Sequence, residues 1–110
     1  MEHIVFLTGR LAQPSLERVL ASIDAAPFTW EVRELGLQVA ALMTAEMIRR
    51  RVATPAVGAR RVDRIIVPGR CRGDVEGLGA HFGMPVQRGP EELKDLPQFF
   101  NRAEIGRAHV

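Results

Sequence analysis

Residues 3–8, His-Ile-Val-Phe-Leu-Thr, form a short unbroken apolar run that stops at Gly9. A run of this length without polar alternation predicts a strand buried on both faces, as in a parallel sheet. Pro14 suits the first turn of a helix, where its missing N–H costs nothing, and Leu16, Val19, Leu20 and Ile23 follow at three- and four-residue spacing. The spacing predicts a helix over 14–25, stopped by Pro27. From Phe28 to Leu35 the chain alternates, Phe28, Trp30 and Val32 against Thr29, Glu31 and Arg33. Alternation marks a strand with one wetter face, so this second strand is expected at an edge.

Between Leu37 and Val52 the residues Leu37, Ala40, Ala41, Met43, Met47, Ile48 and Val52 trace an apolar helical stripe, and Arg49, Arg50 and Arg51 sit where cations complement the carbonyl end of a helix. Residues 53–62, with Pro55 and Gly58, read as a loop. Asp63 to Val67 predicts a third buried strand, ended by Pro68-Gly69. Asp74 is placed to cap a short helix through Phe82, which Gly77 and Gly79 weaken by about 1 kcal/mol each, so packing must hold it. Met84 to Gln87 predicts a fourth strand. Pro90 and Glu91-Glu92 open a fourth helix and Pro97 closes it, while residues 101–110 show no periodicity and read as a tail or linker. Four strands alternating with helices predict a small α/β domain over residues 1–100: a doubly wound, mostly parallel four-stranded sheet of Rossmann or flavodoxin-like type, with helices on both faces.

Composition narrows the function classes. Fifteen basic residues against 13 acidic ones leave a net charge of +2 over 110 residues, too little to argue for nucleic acid. Fourteen of the fifteen basic residues are arginine, a skew that fits either a compositional bias or a demand for planar recognition of phosphate or carboxylate. Cys71 is the single cysteine, which excludes an internal disulfide, and no Cys/His cluster has the spacing of a metal site. No apolar run approaches the roughly 20 residues of a membrane span, and a cytoplasmic location is expected.

In an open α/β sheet, ligands bind beyond the carboxyl ends of the strands, where the strand order reverses. Two segments arrive there: Thr8-Gly9-Arg10 after the first strand, and Pro68-Gly69-Arg70-Cys71-Arg72-Gly73-Asp74 after the third. A strand order of 2-1-3-4 sets these loops face to face and predicts that Arg10, Arg70 and Arg72 converge. Gly69 and Gly73 permit the close backbone approach of an anion-cradling turn, and a helix start follows. The same Pro-Gly is also a plain way to end a strand. The segment has neither the dinucleotide fingerprint nor the Lys-Ser/Thr of a P-loop. Cys71, between two arginines, has the setting of a thiol with lowered pKa, but no histidine is placed beside it as a base. Thr44 and Glu46 interrupt the second helix's apolar stripe and read as a solvated face. No acid/base pair of carboxylates is evident.

Three stretches together, Ile4-Val-Phe-Leu-Thr-Gly-Arg-Leu-Ala12, Leu37-Gln-Val-Ala-Ala-Leu-Met-Thr44 and Ile65-Ile-Val-Pro-Gly-Arg-Cys-Arg-Gly-Asp74, resemble the N-terminal region of the dihydropteroate synthase-like proteins of methanogens and of methylotrophs that use tetrahydromethanopterin. The resemblance spans about residues 2–100 and rests chiefly on the third stretch. It implies an accessory domain in pterin and one-carbon metabolism, ahead of a pterin-binding barrel in a longer protein, and it places pterin chemistry in that barrel rather than in these residues.

The matched positions Gly9, Arg10, Pro68, Gly69, Arg70, Arg72, Gly73 and Asp74 form the candidate anion site, with no catalytic residue and no metal assigned. The expected ligand is small, bears a phosphate or carboxylate, and is of pterin type if the resemblance extends to ligand class. No tightly held cofactor is expected. The alternative is a structural domain that docks on the barrel or pairs with a second copy through Phe28 and Trp30 of the edge strand.

Overall fold

Every strand of the sheet is parallel, and the strands lie in the order β2-β1-β3-β4. The structure, a computed structural model, describes residues 2–23, 28–36, 42–51 and 62–100. In chain order the elements are β1 (Glu2–Thr8), α1 (Gln13–Ala21), β2 (Phe28–Glu34), α2 (Ala45–Arg51), β3 (Arg64–Val67), α3 (Val75–Phe82) and β4 (Val86–Arg88). The 3-10 turn Leu93–Asp95 then runs on into helical residues 96–100. This is the doubly wound α/β arrangement that the alternation of strands and helices predicts.

The unbroken apolar run of β1 is explained by its position. Ile4 pairs with Trp30 on one side and Arg64 on the other, and Phe6 pairs with Val32 and Ile66, so both edges of β1 are occupied. Its two faces feed two cores. Ile4 and Phe6 join Leu16, Leu20, Phe28, Ile66, Leu96 and Phe100 beneath α1 and the final helical segment. Val5 and Leu7 join Met43, Ile48, Ile65, Val67, Val75, Leu78 and Phe82 beneath α2 and α3. β2 lies at the edge, as its alternation predicts. Its apolar face is turned inward: Phe28 stacks on Phe100 at 4.6 Å and Trp30 packs against the α1 core. Burial of Phe28 removes it from the docking surface expected of this strand.

The amino edge of the sheet is tied by polar contacts. The backbone N–H of His3 donates to Asp63 Oδ2 at 2.8 Å, the Asp63 N–H donates back to His3 O at 2.9 Å, and His3 Nδ1 lies 2.8 Å from Thr29 Oγ1. Arg64 donates to Glu2 Oε1 and Gln87 Oε1, and its guanidinium lies over the Phe100 ring.

Several boundaries differ from those the periodicity predicts, for reasons of backbone hydrogen bonding. α1 ends at Ala21, where Ser22 Oγ donates to Val19 O. α2 starts at Ala45 rather than Leu37. Residues 37–41 lie outside the described residues, and Met43 to Ala45 bond instead to the loop after β3: Arg72 N donates to Met43 O, and Ala45 N donates to Arg72 O at 2.7 Å. Thr44 Oγ1 then accepts from Met47 N and caps α2, and Glu46 pairs with Arg50 on the exposed face.

Gly83 takes a left-handed conformation (φ 74°) and Met84 N donates to Gly79 O, so 83–84 terminate α3 and β4 begins two residues late. Pro97 falls in the first turn of helical residues 96–100 rather than after their end, because there its missing N–H is one a helix leaves unpaired in any case. Of the predicted loop over 53–62, residues 53–61 lie outside the described residues, as does the tail over 101–110, and Val62 is buried.

α3 keeps two glycines because its cap and its buried face compensate. Asp74 Oδ1 accepts from Gly77 N at 2.9 Å, and Val75, Leu78 and Phe82 are buried. Removing the cap by Asp74→Ala is expected to cost about 1 kcal/mol. Leu78→Ala is expected to cost about 2–5 kcal/mol, because it opens a cavity in the core. Urea unfolding of the two variants measures the difference; equal losses would refute packing as what holds this helix.

Candidate functional site

With the order β2-β1-β3-β4, the connection leaving β1 runs to β2 by way of α1, and that leaving β3 runs to β4 by way of α3 on the opposite face. The carboxyl ends of β1 and β3 therefore face a gap that neither connection crosses, the position where open α/β sheets hold ligands. A crevice of about 310 Å³ opens there, on the α1 side. Phe6, Leu16, Ile66 and Leu96 give it an apolar floor, Thr8 and Ala12 form one wall, and Pro68, Gly69 and Gly89 to Leu93 form the other. Arg70, Glu91 and Glu92 are its charged lining residues, all exposed. An apolar slot with a few polar groups at the opening is the usual build of a small-molecule site.

The second wall depends on Gly69. A Cβ on this residue would lie 2.5 Å from the carbonyl oxygen of Pro90 and 2.7 Å from Glu91 N, so only glycine allows the two backbones to meet. Gly89 N donates to Val67 O at 2.9 Å and closes the same seam. The role of Gly69 is thus close backbone packing that shapes the crevice.

The structure divides the remaining candidates. Pro68, Gly69 and Arg70 line the crevice. Gly9 is buried beside it, and Arg10 is exposed in the turn that follows; neither lines it. Arg72, Gly73 and Asp74 serve the opposite face. Arg72 forms a parallel bridge with Thr44, Gly73 takes a positive φ (101°) against Ala45, and Asp74 caps α3. The expected convergence of Arg10, Arg70 and Arg72 on one ligand is therefore corrected: of the three, the crevice lining takes in Arg70. The chain direction explains this, because the backbone crosses the end of the sheet between residues 70 and 72 on its way to α3.

Cys71 faces inward at that crossing. It is buried in the α3-side core, and burial pushes its thiol pKa up, an effect that the positive charge of Arg88 partly offsets. The expectation of a thiol with lowered pKa is overturned by this environment. Arg88 instead holds the loop: its Nε donates to Cys71 O at 2.9 Å and its Nη2 to Gly73 O at 2.8 Å.

Sequence reasoning missed the wall from Gly89 to Leu93. Glu92 has an extended backbone ahead of the 3-10 turn and makes no side-chain cap; its Oε1 lies 3.9 Å from Arg70 Nη2. The signal available was positional, since Gly89-Pro90 follows β4 and so reaches the same sheet edge as Pro68-Gly69. Among the described residues no group of His, Cys, Asp and Glu side chains is arranged to hold a metal ion, and no helix is long and apolar enough to cross a membrane.

Residues 2–91 match the model of a family described as a family of unknown function, DUF6513. No curated protein and no solved structure matches the chain.

The Cys71 environment gives a direct test. The native thiol is expected to react slowly with a thiol reagent at neutral pH and rapidly once urea unfolds the chain. Because the folded pKa is raised, the unfolded thiol ionises first as pH rises; stability attributable to Cys71 is whole below the unfolded pKa and declines above it, and Cys71→Ala removes that alkaline slope. Rapid native labelling at neutral pH would show the thiol to be accessible.

Proposed function

We propose, for a chain that belongs to the DUF6513 family of unknown function, that it is a small-ligand-binding accessory domain whose ligand lies in the crevice between the ends of β1 and β3. The ligand has a flat apolar body and one carboxylate or phosphate group. The body rests on Phe6, Leu16, Ile66 and Leu96, and the anion meets the guanidinium of Arg70 at the mouth. The observation that carries this reading is the crevice itself, a 310 Å³ space at the switch point of the sheet, walled on one side by a backbone seam that tolerates no side chain at residue 69.

The resemblance to the dihydropteroate synthase-like proteins extends the proposal to a pterin-type ligand presented to a neighbouring pterin-binding barrel, within one-carbon metabolism that uses tetrahydromethanopterin. Among the described residues the charged lining of the crevice is Arg70, Glu91 and Glu92, and the reading proposed for them is binding.

One observation favours a docking role on the same edge. Leu11 and Leu42 are 69% and 68% exposed, and both lie in segments at the carboxyl edge of the sheet. Large aliphatic side chains this exposed at the sheet's carboxyl edge fit a partner surface, either the barrel or a second copy.

An amide NMR titration with inorganic phosphate and then a pterin phosphate tests the binding reading. Saturable shifts are expected at Thr8, Gly69, Arg70 and Gly89, and none at Arg72 or Gly73. Arg70→Ala is expected to weaken binding by up to about 1 kcal/mol, the scale of an ion pair made by an exposed arginine. Absence of shifts at millimolar ligand would sink this reading. For the docking role, Leu11→Ser with Leu42→Ser is expected to abolish self-association, or binding to the barrel, in sedimentation while leaving the fold intact; unchanged association would reject these leucines as the contact.

A further inference from the structure

The charges at the mouth of the crevice offer a ligand more than one anionic contact. One arginine, Arg70, faces two glutamates, Glu91 and Glu92. An anion seated on Arg70 alone takes away the partner of Glu92 and sets a further negative charge beside two carboxylates. The existing pair is also loose: Arg70 Nη2 and Glu92 Oε1 are 3.9 Å apart, and their side chains are 59% and 58% exposed. A charge-assisted hydrogen bond is about 1 Å shorter, and an exposed pair of this kind contributes little to stability. Opening it therefore costs little, provided each member finds a new partner.

We infer that the crevice selects a zwitterionic ligand, one with an apolar ring for the floor and a head in which a cationic amino group and a carboxylate lie close together. This rests on the binding reading above and names the ligand class within it. The ligand carboxylate replaces Glu92 on Arg70, and the ligand ammonium replaces Arg70 on Glu92. The internal ion pair becomes two intermolecular ones, and the net charge of the mouth is unchanged.

Glu92 is placed for this exchange. It stands at the start of the 3-10 turn yet makes no capping hydrogen bond, so its carboxylate is not committed to the local backbone. Its partner Arg70 follows Gly69, whose backbone packs against Pro90 and Glu91, so the two side chains spring from neighbouring stretches of one backbone seam. The apolar lining then accepts a ring-sized group, and the head stays in the polar opening.

Three matched probes separate the terms: phenylalanine, 3-phenylpropionate, which lacks the amino group, and 2-phenylethylamine, which lacks the carboxylate. Followed by amide NMR on the wild-type chain, phenylalanine is expected to shift Gly69, Arg70 and Gly89 with a Kd about fivefold or more below that of either truncated probe, the scale of one exposed ion pair gained. Glu92→Gln is expected to erase the advantage of phenylalanine over 3-phenylpropionate. Arg70→Ala is expected to erase its advantage over 2-phenylethylamine. Equal binding of phenylalanine and 3-phenylpropionate to the wild type would overturn zwitterion selection while leaving the anion crevice standing. No shift with any probe overturns the inference as well, and the phosphate titration then judges the crevice separately.

Discussion

The structure depends on one constraint: β1 and β3 are neighbours buried on both faces, and the chain leaves them toward opposite faces. Parallel strands cannot be joined by tight turns, so each needs a crossover helix, and the right-handed sense of that crossover decides which face the helix covers. Moving from β1 out to β2 puts α1 on one face; moving from β3 out to β4 puts α3 on the other. The gap above β1 and β3 is therefore a consequence of strand order. The side chains determine what the gap is lined with and how firmly its walls are held.

The two edges of the sheet are treated differently. At the amino edge, Asp63 bonds to the His3 backbone and Arg64 reaches both Glu2 and Gln87, so side chains from β1, β3 and β4 are stitched together across the strand starts. At the carboxyl edge the ties are backbone contacts and the hydrogen bonds of the Arg88 side chain, on the flanks of the gap. Residues 71–73 are held against Met43 to Ala45 and by Arg88 on the α3 side, while 67–69 are held against 89–91 on the other. Both seams fix the ends of β3, and neither covers the space between β3 and β1. The loop from Pro68 to Asp74 thus divides its residues by side: Arg70 outward to the crevice, Cys71 into the core, and Arg72 to Asp74 into the packing of α2 and α3.

That division explains how far the sequence could be read. The four strands, the edge position of β2 and the site's address at the strand ends follow from apolar runs, alternation and the Pro68-Gly69 stop, all of which are local patterns. The cap at Asp74 is local too. The grouping of three arginines failed because nothing local says on which side of the sheet a loop residue falls; that depends on Arg72 pairing with Thr44, a contact made across 28 residues of chain. The start of α2 was obscured for the same reason. Its apolar stripe runs unbroken through Met43, but the backbone there bonds to Arg72 instead of continuing the helix. The wall from Gly89 to Leu93 needed tertiary knowledge as well, since the meaning of Gly69 lies in the Pro90 carbonyl that approaches it.

In the proposed binding, affinity and selectivity come from different parts of the crevice. The floor of Phe6, Leu16, Ile66 and Leu96 is already packed into the core beneath α1, so a ring laid on it removes apolar surface from water without having to order the side chains it touches. That contribution is nearly blind to the identity of the ring. Discrimination would fall to the mouth, where the charges are exposed and individually weak and spring from backbone packed at a seam that admits no Cβ at residue 69. Weak charges of opposite sign select by pattern: a ligand gains when its own charges match both members, and loses when it satisfies one and strands the other. In the proposed binding, the backbone seam that fixes where Arg70 and Glu92 begin contributes more to selection than the strength of any ion pair.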